Sequence, residues 1–394
     1  MIVRQFLHWV RAARPGERAE ATSALARAYL HSDLSPDDLA AAEGAMIMLL
    51  DDPSPLVRRA MAEVFASSQK APKVVVLALA ADHVEVSLPL LERSPLLEDE
   101  HLVDLVGAGN AQAQAAIARR PLLSTIVSAA LAEVGTAEAC LGLLENCDAD
   151  IALFSVDRIV DRFGHIAAIR QNLLARDDLP TATRQALLSK LSRTLAGFVA
   201  ERQWLGPRRA ETTARDACEK ATVALAADTP YDEIGDLVRH LRESGQLTAG
   251  MLLRALLSGN IVLLEEALAE LTGLPLDRVA SHLHDKSLAG FRALYRKAEL
   301  PELAYPAFRG ALEAVREGLL IGEPGGTARL KRRMVERVLE VCSIQGCDGK
   351  LLTLLRRFAV EAAREEARLF CEELVTDLAP LPPARIAAEA RLVA

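Results

Sequence analysis

Residues 35–65 of this 394-residue chain read as two short amphipathic helices joined by a proline-stiffened turn. In each helix the apolar residues recur every three or four positions, so they form one stripe that must be buried against a neighbouring helix. Such a unit cannot fold alone, and degraded copies of it follow along the chain. The sequence therefore predicts an all-α helical repeat in which the following inter-helix contacts are buried: Val57, Met61, Val64, Phe65, Leu264 and Leu268.

Serine and proline mark where these helices begin. Ser35 with Pro36 has the residue types preferred at an N-cap and a first helical position, and Ser54 with Pro55 repeats the pattern.

Strand signals are almost absent. The best candidate, residues 74–76, consists of three consecutive valines at helix pitch between two units, and we expect it to be helical.

Composition and charge restrict the possible classes of protein. Hydrophobic residues make up 51% of the chain and aromatic residues only 4%, which disfavours a large aromatic ligand pocket. The net charge of -8 disfavours broad, non-specific attraction to nucleic acid or anionic lipid. No apolar run approaches the roughly 20 residues of a membrane span, and the N-terminal stripe lacks a secretory cleavage pattern. We therefore expect a cytoplasmic protein without a membrane span.

The chain is long enough for two domains or one extended repeat. A polar stretch at residues 201–215 and a loop at 228–231 interrupt the helical pattern, so we place a soft boundary between about residues 195 and 245. The predicted organisation is a repeat segment at 1–200, a helical segment at 245–378 and a flexible, proline-rich tail at 379–394.

Residues 52–60, DPSPLVRRA, are similar to the second-helix signature of HEAT repeats, in which Asp and Pro precede Val and a basic residue. The string at 252–285, followed by GFRALY at 290–295, resembles the second half of an uncharacterised bacterial HEAT-like family, a domain of unknown function. The resemblance covers roughly residues 25–308. It implies a HEAT-like α-solenoid, a right-handed superhelix of antiparallel helix pairs, and it carries no catalytic residues to transfer.

Patterns that would indicate an enzyme or a metalloprotein fail one by one. The glycine-rich stretch at 322–326 lacks the Lys and Ser/Thr of a phosphate-binding loop. The sequence also lacks the G-x-S-x-G motif of a nucleophile elbow, the H-E-x-x-H motif of a zinc site and the G-x-G-x-x-G motif of dinucleotide binding. We therefore expect no catalytic activity, cofactor or metal. Three suggestive pairs lack the further ligands or the spacing that their sites need: His282 with His284, Cys342 with Cys347, and Glu98 with His101.

Two basic groups are candidates for partner binding. A smaller one places Trp204 near Arg208 and Arg209, where the indole could stack on a base, anchor a partner or simply pack within the fold. The larger group either forms a solvated helix face or docks an acidic protein, a nucleotide or a nucleic-acid backbone. It consists of five cations within nine residues: Arg329, Lys331, Arg332, Arg333 and Arg337.

These observations favour a non-enzymatic, protein-binding scaffold or regulatory module built on a helical-repeat surface. One alternative is a nucleic-acid-acting protein that resembles the HEAT-like alkylpurine DNA glycosylases, which would need a basic concave channel holding an acid and aromatic pair. Another is a nucleotide-sensing module that uses the arginine-rich helix. The sequence pattern sets no oligomeric state.

Overall fold

The computed structural model describes residues 8–10, 12–285, 288–318, 326–344 and 347–377. Within those ranges the only regular secondary structure is helix, which confirms the all-α prediction and includes the three valines at 74–76. Contacts divide the chain into two compact units, Met1–Leu179 and Pro180–Ala394. The predicted tail at 379–394 and most of the glycine-rich connector lie outside the described residues, and so does most of the N-terminal stripe.

Within the described residues the first unit contains eleven helices: α1 (Pro15–His31), α2 (Pro36–Leu49), α3 (Pro55–Phe65), α4 (Lys73–Ala80), α5 (Val84–Arg93), α6 (Asp99–Gly107), α7 (Ala111–Ala118), α8 (Thr125–Val134), α9 (Ala137–Glu145), α10 (Leu153–Phe163) and α11 (Ala167–Leu174). Each odd-numbered helix contacts the next odd-numbered helix from α1 to α11. On the other side, α6 contacts α8 and α8 contacts α10. Helices two apart in the chain are therefore neighbours in space.

The buried stripes agree with the amphipathic pattern. Val57, Met61 and Phe65 on α3 are fully buried, and Phe65 meets the ring of Tyr29 from α1 edge to face. Val64 is only half-buried because it lies at the margin of the α3 stripe. Five of the six predicted contacts are thus buried, including the two leucines of the second unit.

The turns of the first unit are held by side chains that bind backbone groups. Ser35 accepts a hydrogen bond from the N–H of Asp38 at 3.2 Å, as expected for the cap of α2. Ser54 likewise occupies the N-cap position of α3, before Pro55, but its side chain makes no capping bond. Instead, the N–H of Ser54 donates to the Asp52 carboxylate at 2.8 Å, and the same carboxylate accepts hydrogen bonds from Nε and one terminal nitrogen of Arg18. Asp52 therefore organises this turn.

Further along, three polar side chains tie one repeat to the one before. Arg120, Asn146 and Arg162 each donate at least two hydrogen bonds to carbonyl oxygens 26 to 30 residues earlier in the chain. The accepting carbonyls lie at or just beyond the ends of helices, where four carbonyls have no partner within the helix. These bonds therefore complete helix ends and fix neighbouring units together.

Within the described residues the second unit contains ten α-helices and one 3-10 turn: α12 (Thr181–Glu201), α13 (Pro207–Ala227), α14 (Tyr231–Glu243), α15 (Ala249–Leu257), α16 (Ile261–Thr272), α17 (Leu276–His284), α18 (Ala289–Lys297), the turn Glu302–Ala304, α19 (Tyr305–Gly318), α20 (Gly326–Ile344) and α21 (Gly349–Asp377). Helix α15 lies at its centre and contacts α13, α16, α19 and α20. Residues 251–257 of α15 are all buried, which agrees with their almost uniformly apolar sequence, MLLRALL.

Among the described residues no helix is both long enough and apolar enough to cross a membrane.

Candidate interaction surface

Helices α12 and α13 form a hairpin that extends beyond the core of the second unit. Each helix has 21 residues, and a connection of only five residues makes the contacting pair antiparallel. Gln203 adopts a left-handed backbone in the turn, and Pro207 starts α13 at a position where its missing N–H costs nothing. From Lys190 to Glu201 no residue of α12 is buried. The second half of α12 therefore contributes no buried residue to the core of the second unit.

Large apolar side chains are exposed at the end of the hairpin. Leu195, Phe198 and Trp204 are 52%, 44% and 66% exposed. The Phe198 and Trp204 rings meet edge to face with centroids 5.8 Å apart, and the Arg202 guanidinium lies 4.8 Å from the centre of the Phe198 ring. We call Leu195, Phe198, Arg202 and Trp204 the tip patch. Trp204 is thus a surface residue rather than a packing anchor of the fold.

Positive charge surrounds the tip patch. Arg208 and Arg209 are exposed at the start of α13, directly after the turn that carries Trp204. Residues 195–209 contain three arginines and one glutamate, in a chain whose net charge is -8. Trp204, Arg208 and Arg209 are thus all exposed in or directly after the turn. The structure adds Phe198 and Arg202 through their ring contacts, and Leu195 through its place on the same face of α12 as Phe198. The sequence signal for these three was weak because each belongs to an ordinary helical pattern.

A groove of about 560 Å³ runs along the seam between the two helices of the hairpin. Small residues of α12 form much of its lining, and a Cβ added at Gly197 would meet no atom within 4 Å. Arg193 on α12 and Arg215 on α13 line its two walls. At 3.6 residues per turn, the groove residues and the tip patch lie on opposite sides of α12. We call this feature the seam groove.

The larger predicted basic group lies on α20 and meets acidic residues of α21. The Lys331 ammonium lies 2.9 Å from a Glu365 oxygen. The Arg332 guanidinium lies 2.8 Å from Glu336 and 3.0 Å from Glu366. The remaining three members also have interaction partners: Arg329, Arg333 and Arg337. The repulsion among these neighbouring cations is therefore offset by acidic residues of the same chain for at least Lys331 and Arg332.

Sequence reasoning missed the ion pairs that fasten α21. Arg254 of the central helix α15 is buried, pairs with Glu361 at 2.5 Å and packs over the Phe358 ring at 4.2 Å. Arg357 makes a second contact, to Asp216 of α13 at 2.5 Å. Arginine is suited to such buried pairs because its planar fork can bond a carboxylate while it stacks on a ring.

The histidine and cysteine pairs that were considered for metal or redox chemistry have structural neighbours that do not form such a site. His284 lies 3.1 Å from the buried Glu265, an acidic partner from α16 that local spacing could not reveal. His282 is half-buried against Gly290, whereas His284 is exposed. Burial and the neighbouring Cys347 raise the pKa of the Cys342 thiol to about 12. The thiol therefore stays protonated at neutral pH, whereas metal binding and redox reactions need the thiolate. Within the described ranges no group of three or more His, Cys, Asp or Glu side chains could hold a metal ion.

The geometry defines an all-α protein of two helical units, the second of which carries a projecting hairpin. A family model described as "Uncharacterised protein conserved in bacteria (DUF2336)" matches residues 86–346, more than half of the chain. The chain belongs to this family, as its resemblance to an uncharacterised bacterial family implied. Comparisons with curated proteins and with solved structures give no match.

Proposed function

We propose that this protein is a non-enzymatic binding module in which the tip patch, with Arg208 and Arg209, contacts an acidic segment of a protein partner. The observation that carries this proposal is the exposure of Trp204 beside Phe198 on a hairpin end that the fold does not bury. Tryptophan and arginine are enriched among the residues that dominate interface energies. The excess of arginine over glutamate favours a negatively charged partner.

The wider architecture fits the same role. We infer that the first unit is a HEAT-like solenoid, because stacking between helices two apart in the chain is the arrangement expected of such repeats. Extended repeat surfaces bind partners more often than they perform chemistry. We place the interaction in the cytoplasm, an assignment that the free cysteines support.

A nucleic acid is the main competing ligand, because a tryptophan among arginines can also stack on a base. We favour a protein, since Leu195 adds an aliphatic surface that offers little to a base and the chain as a whole is acidic. The α20 arginines remain a second proposed contact surface, and a nucleotide remains a candidate ligand for that helix.

Crosslinking capture from native lysate tests the proposal when it compares matched variants. Trp204→Ala and the double variant Arg208→Glu/Arg209→Glu should lose the captured protein, and a titration with that purified protein should show at least about tenfold weaker binding. Trp9→Ala is the control, because Trp9 is the second tryptophan of the chain and is also exposed.

Nuclease treatment of the lysate separates the two kinds of partner. A captured protein that persists after nuclease treatment and disappears with Trp204→Ala supports the proposal. Capture that nuclease abolishes, or that Trp204→Ala leaves at the wild-type level, overturns it.

A further inference from the structure

The last part of α21 carries an apolar face that the described residues of the second unit leave exposed. Leu369, Phe370 and Leu374 are 37%, 59% and 49% exposed, on a helix that continues for eleven residues past Glu366, which pairs with Arg332 of α20. The surrounding sequence is acidic, since residues 369–377 contain three acidic residues and no basic one. An exposed apolar stripe with charge of one sign is typical of a helix that docks into a groove.

The seam groove of the same unit has complementary properties. It follows α12 from Ser189 to Ala200, a distance of about 16 Å at 1.5 Å per residue, which is three turns of helix. Arg193 and Arg215 line opposite walls, and Glu211 is the one acidic residue of the lining, so the charged side chains of the groove are mostly basic. A helix that entered the groove with its apolar side chains over the open space at Gly197 would bring its acidic residues toward arginine on either side.

We propose that the end of α21 from a second copy of this chain occupies the seam groove. In the proposed exchange each copy gives its α21 end to the groove of the other. This reciprocal arrangement closes as a two-fold dimer, whereas a one-way contact between the same two surfaces would continue as an open chain. The proposal concerns the opposite side of α12 from the tip patch, so it goes beyond the proposed binding of an acidic partner.

The helix end cannot reach the groove of its own chain. Arg357 contacts Asp216 of α13, and eight residues later Glu365 contacts α20 and lies near Lys220 of α13. Helices α21 and α13 therefore run in the same direction along this contact. Since most of the groove lining on α13, from Pro207 to Arg215, lies before Asp216, the exposed end of α21 points away from it. A second copy supplies this helix without breaking those ion pairs.

The native thiol of Cys371 allows a direct test of proximity. Cys371 is exposed between Phe370 and Glu372, and Gly197 faces the open groove. In the Gly197→Cys variant, mild oxidation by a disulfide reagent should join the new thiol to Cys371 of another copy and give a covalent dimer in a non-reducing gel. The two thiols lose their hydrogens as the reagent's disulfide is reduced to thiols. Adding Cys371→Ser should abolish the product, whereas Cys147→Ser, which removes the other exposed thiol, should not.

Sedimentation measures the same contact without crosslinking. Wild-type full-length protein should show a monomer–dimer equilibrium between about 1 and 100 µM. Gly197→Leu should fill the groove and weaken dimerisation at least about tenfold without disturbing the fold, because no atom lies within 4 Å of the added Cβ. Thr194→Leu is the matched control on an exposed position of α12 outside the groove lining. Phe370→Glu should weaken the dimer from the other side.

A wild-type protein that remains monomeric throughout this range overturns the dimer proposal and leaves the tip patch proposal intact. A dimer that Gly197→Leu and Phe370→Glu do not weaken also overturns it. Conversely, Trp204→Ala should leave the dimer unchanged, so loss of partner capture by that variant reports only on the tip patch.

Discussion

Replacement of Arg120 should test whether polar ties between repeats hold the first unit together. The buried Arg120 guanidinium donates to the carbonyls of Leu90, Leu91 and Ser94 at 3.2, 2.6 and 2.7 Å. Burial lowers the pKa of Arg120, against an opposing effect of the Asp99 charge, so the enclosed cation is costly unless its bonds are made. In Arg120→Met the chain keeps an apolar stem of similar length and loses all three bonds.

The expected loss follows from these bonds. A hydrogen bond to a charged group contributes about 1.5–3 kcal/mol, and removing the donor leaves buried carbonyls unsatisfied, while relief of the cation's desolvation returns part of the loss. A net decrease of about 3 kcal/mol in the free energy of unfolding is therefore expected. Urea unfolding followed by far-UV circular dichroism measures it, and the shift should appear in the transition of the first unit.

Arg119→Met provides the matched control, because Arg119 is the adjacent residue. Its side chain is mostly exposed, and its nearest acidic partner, Glu138, lies 4.0 Å away. Exposed pairs contribute little, so this variant should change stability by less than about 0.5 kcal/mol. Equal losses for the two variants, or a loss below about 1 kcal/mol for Arg120→Met, would refute the reasoning.

Three further predictions concern packing, acid stability and charge. Phe65→Ala should cost about 3–5 kcal/mol in urea unfolding, whereas Leu56→Ala on the exposed side of α3 should cost under about 1 kcal/mol; equal costs would contradict the face assignment. Burial opposes ionisation of Asp52 and Asp82, but hydrogen bonds and charges from Arg18 and Arg58 outweigh it and lower the pKa of both carboxyls. The stability that these two carboxylates contribute is fully present above the unfolded pKa of about 4 and is lost as pH falls through the folded pKa. In Asp82→Asn the urea midpoint should therefore fall less between pH 5 and pH 3 than in the wild type. An equal fall in the two proteins would contradict this. On α20, Arg329→Glu/Arg333→Glu should weaken partner binding in a titration while helix content stays constant, and an unchanged affinity would leave this helix a solvated face.

Periodicity predicted the buried faces well because each depends on a few neighbouring residues. The stripe that includes Val57 and Phe65 can be found without knowing which helix covers it. Long-range charge pairs have no such local signal. Arg254 and Glu361 are 107 residues apart, and the string LLRALL shows only that an arginine interrupts an apolar helix. The basic group of α20 was likewise interpreted without its acidic partner helix.

The polar stretch at 201–215 has a composition that fits two different structures. A linker between domains and the exposed turn of a long hairpin share glycine, proline and charged residues, because both lie in water. In the structure this stretch joins α12 to α13, and the two compact units divide after Leu179. Trp204 is exposed in this turn, and that exposure depends on how far the hairpin projects, which the local sequence does not encode.

Exposure also separates binding from folding in this protein. Because no residue from Lys190 to Glu201 is buried, Leu195 and Phe198 contribute little to the folded core of the second unit. Burial of apolar surface contributes about 25 cal/mol of favourable free energy per Å², and the tip patch would gain this contribution when a partner covers it. Substitutions at Trp204 should therefore change affinity without lowering stability, whereas those at Arg120 or Phe65 should do the reverse. That opposition allows a lost interaction at the hairpin to be distinguished from a damaged fold.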